Sequence, residues 1–244
     1  PGRVLPTTVW SDVLSAADPE HPHYSECLDR LVRAYWKPVY AYVRTAWHKN
    51  VEDAKDLTQA FFAHVLEHDY FARMRPEKGS FRGYLKRALK HFLIDADRAD
   101  RARRPPQPLI PLEMAPEEVE RIGARAGGDT PEKAYDREWF RTVFHAAVDK
   151  VGQDLEKEGK GVYIEVFRAY CLDQLLPASS TETPAPEAPT YRQVAERLRL
   201  DNTQVRHYLS VCREKLRNVL RDLIRDYASS DEEADRELEL LLQG

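Results

Sequence analysis

The sequence has little glycine and no long apolar run. Only ten of the 244 residues are glycine, and apolar residues recur three and four positions apart, without the alternation of strands, which predicts helices throughout. No apolar run approaches the roughly 18 residues that a membrane span needs, and Pro1 to Trp10 lack the basic start and apolar core of a secretory signal. The sequence therefore predicts an all-α, cytoplasmic protein that does not contact a membrane.

Cysteine is also scarce. The three cysteines, Cys27, Cys171 and Cys212, are odd in number, widely spaced and set among apolar helical positions. This pattern predicts buried free thiols in preference to a disulfide or a metal site. We expect neither a bound metal nor a cofactor.

Charge is abundant but unevenly distributed. The whole chain carries a net charge of -4, whereas the window from Arg73 to Arg104 has eleven Lys or Arg residues against four Asp or Glu. Pro and Gly between Arg75 and Ser80 predict a loop, with Ser80 as the N-cap of a helix that runs to about Arg101. Cations among aromatic rings suit a melted or single-stranded nucleic acid. An amphipathic helix with a solvated basic face explains the pattern equally well.

A second basic segment lies near the C-terminus. Periodicity predicts a short helix, a break over 200–202 and a longer helix. The inward residues are Val194, Ala195 and Leu198 on the first helix, and Val205, Leu209, Cys212 and Leu216 on the second. This is the pattern of a helix-turn-helix, in which the second helix enters the major groove, and a plain helical hairpin is the alternative. The residues predicted to face outward are Thr203, Gln204, Arg206, His207, Ser210 and Arg213.

Proline-rich stretches divide the chain. Prolines between Pro105 and Pro116 predict a linker, and the Pro, Ser and Thr of residues 173–190 predict a surface loop. The last sixteen residues hold six acids and then leucines, which suits a solvated tail or a small docking helix. The predicted organisation is an N-terminal extension (1–23), a helical domain (24–104), the linker (105–136), a second helical domain with the helix-turn-helix (137–228) and the acidic tail (229–244).

Several quoted segments resemble one family. "YWKPVYAYVR", "EDAKDLTQAFF" and "GSFRGYLKRALKHFLIDADRADR" look like the promoter-melting domain of bacterial extracytoplasmic-function sigma factors, in particular those of planctomycete-like bacteria. "TYRQVAERLRLDNTQVRHYLSVCREKLRNVL" looks like the upstream-element domain of the same family. The resemblance implies a protein without catalytic activity that binds core RNA polymerase, recognises promoter DNA and melts the minus-ten element.

The resemblance also implies roles for residues. Asp53, Asp56 and Gln59 match the surface that docks on the beta-prime clamp of core polymerase, and the beta flap is the second polymerase contact. The residues matching the loop and helix that hold the single-stranded non-template minus-ten strand are Arg75, Lys78, Ser80, Phe81, Arg82, Tyr84, Lys86, Arg87, Lys90 and His91. Those matching the helix that reads the minus-thirty-five element are Thr203, Gln204, Arg206, His207, Ser210, Arg213, Lys215 and Arg217.

Some positions depart from the family pattern. Lys55 and Ala60 stand where acids are common, which lowers the negative charge of the clamp-binding surface. Thr58 is predicted to lie in that surface, where phosphorylation would restore the charge, so a regulatory kinase is a candidate partner besides an anti-sigma factor. Arg199 replaces the usual glycine of the turn, a minor change if the turn does not need a positive φ.

Two other functions are open. A stand-alone regulator would use the helix-turn-helix without binding polymerase. An enzyme is the second alternative, because His64 and His68 are spaced i, i+4 beside Asp69, and His91 lies four residues before Asp95, as in helical metal sites. Both sets also fit the sigma pattern, so we expect no catalytic residues.

Overall fold

The computed structural model describes residues 10–46, 50–68, 71, 79–101, 114–126, 128–172, 189–226, 228 and 230–243. Within these ranges the regular elements are all helical, which confirms the predicted class, and none of the helices is both long and apolar enough to cross a bilayer. The helices are α1 (Trp10–Ser15), α2 (Tyr24–Ala46), α3 (Val51–Glu67), α4 (Phe81–Arg101), α5 (Pro116–Ala126), α6 (Pro131–Lys157), α7 (Gly161–Phe167, continued by a π-helical turn at Arg168–Leu172), α8 (Tyr191–Leu198), α9 (Asn202–Arg225) and α10 (Asp231–Gln243).

The chain divides into two compact units. Among the described residues, those within 6–142 and 224–244 form the larger unit, and those within 143–223 form the smaller unit. The helix α6 contributes residues to both units. The described part of the predicted linker (105–136) lies in the larger unit, where it forms α5 and the start of α6. The predicted tail forms α10 and belongs to the larger unit, so the docking-helix alternative is the one observed.

The core of the larger unit is built around α2. Helices α1, α3, α4 and α5 all pack against it. Tyr35, Trp36, Tyr40 and Tyr42 are buried there. The part of the predicted N-terminal extension that the structure describes also packs into this unit, because Val13 of α1 is fully buried.

Two ion pairs tie helices together in the larger unit. Arg30 on α2 donates two hydrogen bonds to Asp12 on α1, at 2.9 Å from Nε and 2.6 Å from Nη2. Arg125 on α5 does the same to Glu138 on α6, at 2.7 and 2.9 Å, with the Glu138 side chain only 3% exposed. Because both oxygens of each carboxylate are bonded, these pairs fix the angle between their helices as well as their separation.

The smaller unit buries the inward faces of α7, α8 and α9. Ile164, Val194, Val205 and Leu209 are all buried, and the last three were predicted to be. The three cysteines of the chain are free and buried, which confirms the prediction for them. In this unit, burial raises the pKa of Cys212 to about 12, so this thiol remains protonated and unreactive at neutral pH.

Candidate nucleic-acid interface

The turn between α8 and α9 holds the two helices at a defined angle. Thr190 and Gln193 form a capping box at the start of α8. At its end Arg199 takes a left-handed conformation, φ 55° and ψ 46°, and the N–H of Leu200 donates to the carbonyl of Ala195 at 2.9 Å. This is a Schellman motif, which stops the helix and turns the chain sharply. The turn therefore does need a positive φ, and Arg199 supplies it without being glycine.

A second cap begins α9. The Gln204 N–H donates to Asp201 Oδ1 at 2.8 Å, and the Asp201 N–H donates to Gln204 Oε1 at 2.9 Å. The Asp-x-x-Gln spacing in the sequence is the signal for this cap. The side chain of Gln204, predicted to contact DNA, is engaged in the cap in this structure.

The predicted outward face of α9 is exposed. Its inward positions, including Cys212 and Leu216, are buried. The side chain of Lys215 is half-buried and bonds Glu158 at 2.7 Å. The remaining predicted contacts are all exposed, namely Thr203, Gln204, Arg206, His207, Ser210, Arg213 and Arg217. A continuous polar and basic surface thus begins at the first turn of α9.

Aromatic rings of α7, the π-helical turn and α8 contact side chains at the start of α9. Tyr163 stacks on Tyr208 with ring centroids 3.9 Å apart, and His207 meets the same Tyr163 ring edge-on at 6.0 Å. The Arg206 guanidinium lies 6.0 Å from the ring centroid of Tyr191, which itself lies 4.7 Å from that of Tyr170. Such contacts restrict side-chain rotamers, so these residues are oriented before any ligand binds. The sequence pattern did not predict this layer, because its rings come from separate helices.

On α4, three cations form a stripe one helical turn apart: Arg82, Lys86 and Lys90, called here the basic stripe. Arg82 Nη2 donates to Asp136 of α6 and Arg82 Nη1 donates to Glu237 of α10, both at 2.5 Å. The guanidinium also lies 4.4 Å from the ring centroid of Trp139. The Arg82 side chain is consequently only 11% exposed.

Pairing loosens along the basic stripe. Lys86 Nζ donates to both oxygens of Asp136, at 2.8 and 3.0 Å, and its side chain is 25% exposed. Lys90 Nζ lies 4.0 Å from Glu132 and its side chain is 62% exposed. The sequence predicted these cations as strand contacts but missed their partners. The i, i+4 spacing of Glu132 and Asp136 at the start of α6 was the available signal.

The other predicted minus-ten residues fall into three groups. Arg87 and His91 are exposed on α4, and Tyr84 is half-buried. Arg75 and Lys78 lie outside the described residues. The remaining two require correction. Phe81 is 1% exposed and packs on Tyr35 with ring centroids 5.1 Å apart, so its ring belongs to the core.

Ser80 is the other corrected residue. It is buried, and its hydroxyl accepts the N–H of Gly83 at 3.2 Å. This bond is the predicted N-cap of α4. Because this hydroxyl is buried and caps the helix, Ser80 is no longer a candidate DNA contact.

The start of α3 presents an acidic surface. Asn50 caps the helix, accepting the Asp53 N–H at 2.8 Å. Asp53 and Asp56 are exposed and Gln59 is half-buried. Lys55, which departs from the family pattern, bonds Glu52 of the same helix at 3.0 Å. The cation is thus paired locally, and the two aspartates remain at the surface.

Thr58 corrects a prediction. Its side chain is fully buried, and its hydroxyl donates to the carbonyl of Ala54 at 2.7 Å. A kinase needs an accessible hydroxyl, and a phosphate at this position would place about two negative charges in the core. Phosphorylation of Thr58 in the folded unit is therefore excluded as a means of recharging the α3 surface.

The histidines considered for an enzyme do not form a metal cluster in the described part of the chain. The rings of His64 and His68 lie 4.1 Å apart, and burial lowers the pKa of His64. His68 Nδ1 bonds the His64 carbonyl oxygen at 3.0 Å. Among the described residues, no group of three or more His, Cys, Asp or Glu side chains is arranged to hold a metal ion, and Asp69 is outside them.

Comparisons of this chain with protein-family models, with curated proteins and with solved structures found no significant match.

Proposed function

We propose that this chain is a sigma factor of the extracytoplasmic-function type, acting in the cytoplasm, which binds core RNA polymerase and promoter DNA. One observation supports the proposal: the first turns of α9 expose a polar and basic face, on which Arg206 and His207 contact aromatic rings of the neighbouring helices. Such a helix fits the major groove, where Arg206 can reach guanine edges and Arg213 and Arg217 can neutralise phosphates.

The acidic start of α3 supports the polymerase part of the proposal. Asp53 and Asp56 form an exposed negative surface at a capped helix start. Opposite charge on a partner steers encounter and sets register, and we assign this role to the beta-prime clamp. On α4, the exposed residues Arg87, Lys90 and His91 are the proposed contacts for the melted non-template strand.

Run-off transcription with core RNA polymerase and a promoter library tests the proposal. Asp56→Arg should abolish specific transcripts and the complex with core polymerase. Glu120→Arg makes the same charge change at an exposed position of α5 and should leave both unchanged. Arg206→Ala should lose promoter selectivity while core binding persists. Its control is Lys157→Ala, which removes a cation from an exposed site of the same unit.

A stand-alone regulator is the second candidate, and the internally paired basic stripe favours it. A protein that only reads duplex DNA has no need of a strand-binding surface on α4. It would bind duplex promoter DNA without polymerase, and Asp56→Arg would have no effect. Absence of any complex with core polymerase, combined with specific duplex binding, would replace the sigma-factor proposal with this one.

A further inference from the structure

Glu237 of helix α10 forms an ion pair with Arg82, the most buried cation of the basic stripe. The Glu237 side chain that accepts from Arg82 Nη1 is 16% exposed. Arg82 Nε is buried and has no hydrogen-bond partner among the described residues. The guanidinium therefore keeps donor capacity that its two carboxylate partners do not use.

The two acids on Arg82 differ in how firmly they are held. Asp136 is on α6, which is anchored on either side of it by Tyr135, fully buried, and Trp139, 3% exposed. Glu237 is on α10, whose buried side chains, among those that the structure describes, are Ala234 and Leu238. The described part of α10 thus buries fewer apolar groups than α6 does around Asp136, and a helical segment with fewer buried groups opens at a lower free energy. Glu237 is consequently the partner that can leave.

We propose that α10 is an autoinhibitory element in which Glu237 occupies the place on Arg82 that a nucleic-acid phosphate would take. The inference rests on the proposed function of α4 as a strand-binding helix. Carboxylate and phosphate compete for the same guanidinium donors with similar geometry. Because pairing weakens from Arg82 to Lys90, an incoming strand engages the Lys90 end first and displaces Glu237 last.

The test measures binding of a fluorescently labelled single-stranded oligonucleotide to the full chain by anisotropy, over a range of salt concentrations. Glu237→Gln should bind about tenfold more tightly than wild type, because the variant loses a charge-assisted hydrogen bond that competes with the strand. The slope of log K against log salt should steepen by about 0.7 for each additional phosphate engaged. Hydrogen exchange in α10 should accelerate.

Glu239→Gln is the matched control, since it makes the same charge change at an exposed position of the same helix. It should bind like wild type. Leu238→Ala is a second, independent variant, because it loosens α10 without altering any charge near Arg82, and it should also tighten binding. Tryptophan fluorescence verifies that each variant keeps the fold of the larger unit.

The outcomes separate the inference from the proposed function. If wild type binds the strand and both Glu237→Gln and Leu238→Ala bind it equally or less well, α10 is a structural helix and autoinhibition is refuted, while the proposed function stands. If α10 exchange accelerates with no gain in affinity, the same conclusion follows. If neither wild type nor any variant binds the strand at any salt concentration, the strand-binding role of α4 and the inference both fail.

Discussion

Replacing Arg199 with glycine should stabilise the smaller unit. Arg199 is the one non-glycine residue with a positive φ in the described part of the chain. An L-residue in the left-handed region costs about 1–2 kcal/mol, whereas glycine avoids that cost but loses about 0.5–1 kcal/mol more in conformational entropy on folding. The exposed Arg199 side chain contributes little packing, so Arg199→Gly should raise the free energy of unfolding by about 0.5–1 kcal/mol.

The assay must report on the smaller unit alone. The three tryptophans that the structure describes, at positions 10, 36 and 139, lie in the larger unit, so their fluorescence does not report on this change. Native-state hydrogen exchange of the slowest amides in α8 and α9 measures the opening free energy of the smaller unit directly. The expected result is slower exchange in both helices.

Two control variants separate backbone strain from charge. Arg199→Ala removes the same charge and side chain but keeps a Cβ in the left-handed region, and it should give no gain. Arg197→Gly places glycine inside α8 and should destabilise the unit by about 1 kcal/mol. Equal gains for Arg199→Ala and Arg199→Gly would show that charge, rather than backbone conformation, limits stability, and would refute the reasoning.

Three further predictions concern buried and paired groups. Glu138→Gln should destabilise the larger unit by about 3 kcal/mol, because it leaves Arg125 charged and buried. Replacing both residues with methionine should recover most of that loss. Urea unfolding followed by tryptophan fluorescence measures the free energy of unfolding of both variants. Thr58→Asp should lower the unfolding temperature far more than Thr58→Val, since a carboxylate would enter the core; a Thr58→Asp protein as stable as wild type would contradict the burial of this site. Hydrogen bonds from Lys215 and from Lys160 lower the pKa of Glu158 from 4.5 to about 2. The stability that this carboxylate contributes is therefore present above pH 4.5 and is lost as the pH falls toward 2. Glu158→Gln should weaken the acid dependence of hydrogen exchange in the smaller unit within that window, and an unchanged dependence would exclude the carboxylate as its source.

Local periodicity accounts for what could be predicted about the elements. The inward faces of α4 and α9 follow from apolar spacing, because each helix has one apolar side and residues three and four apart share it. The same rule, applied more strictly, places Thr58 inside, since it lies four residues after Ala54 and three before Phe61, and both are buried. The position of Thr58 on the helix, rather than its polarity, therefore decides that it is buried.

The composition of the linker was a weaker guide. Prolines indicate where regular structure stops, but they carry no information about which unit a segment packs against. Val119 and Ile122 of α5 are buried in the larger unit, and α6 continues as one helix from the larger unit into the smaller one. The boundary therefore differs from the predicted linker because packing, rather than composition, decides it.

The sequence by itself determined the helical class, the capped start of α4, the buried thiols and the basic character of α4 and α9. Only the tertiary structure decided that Arg82 is paired with Asp136 and Glu237, which lie 54 and 155 residues away along the chain. Periodicity is a local property of a helix, whereas an ion pair depends on which helices meet. Whether a cation is available to a partner or already occupied is for that reason a tertiary property.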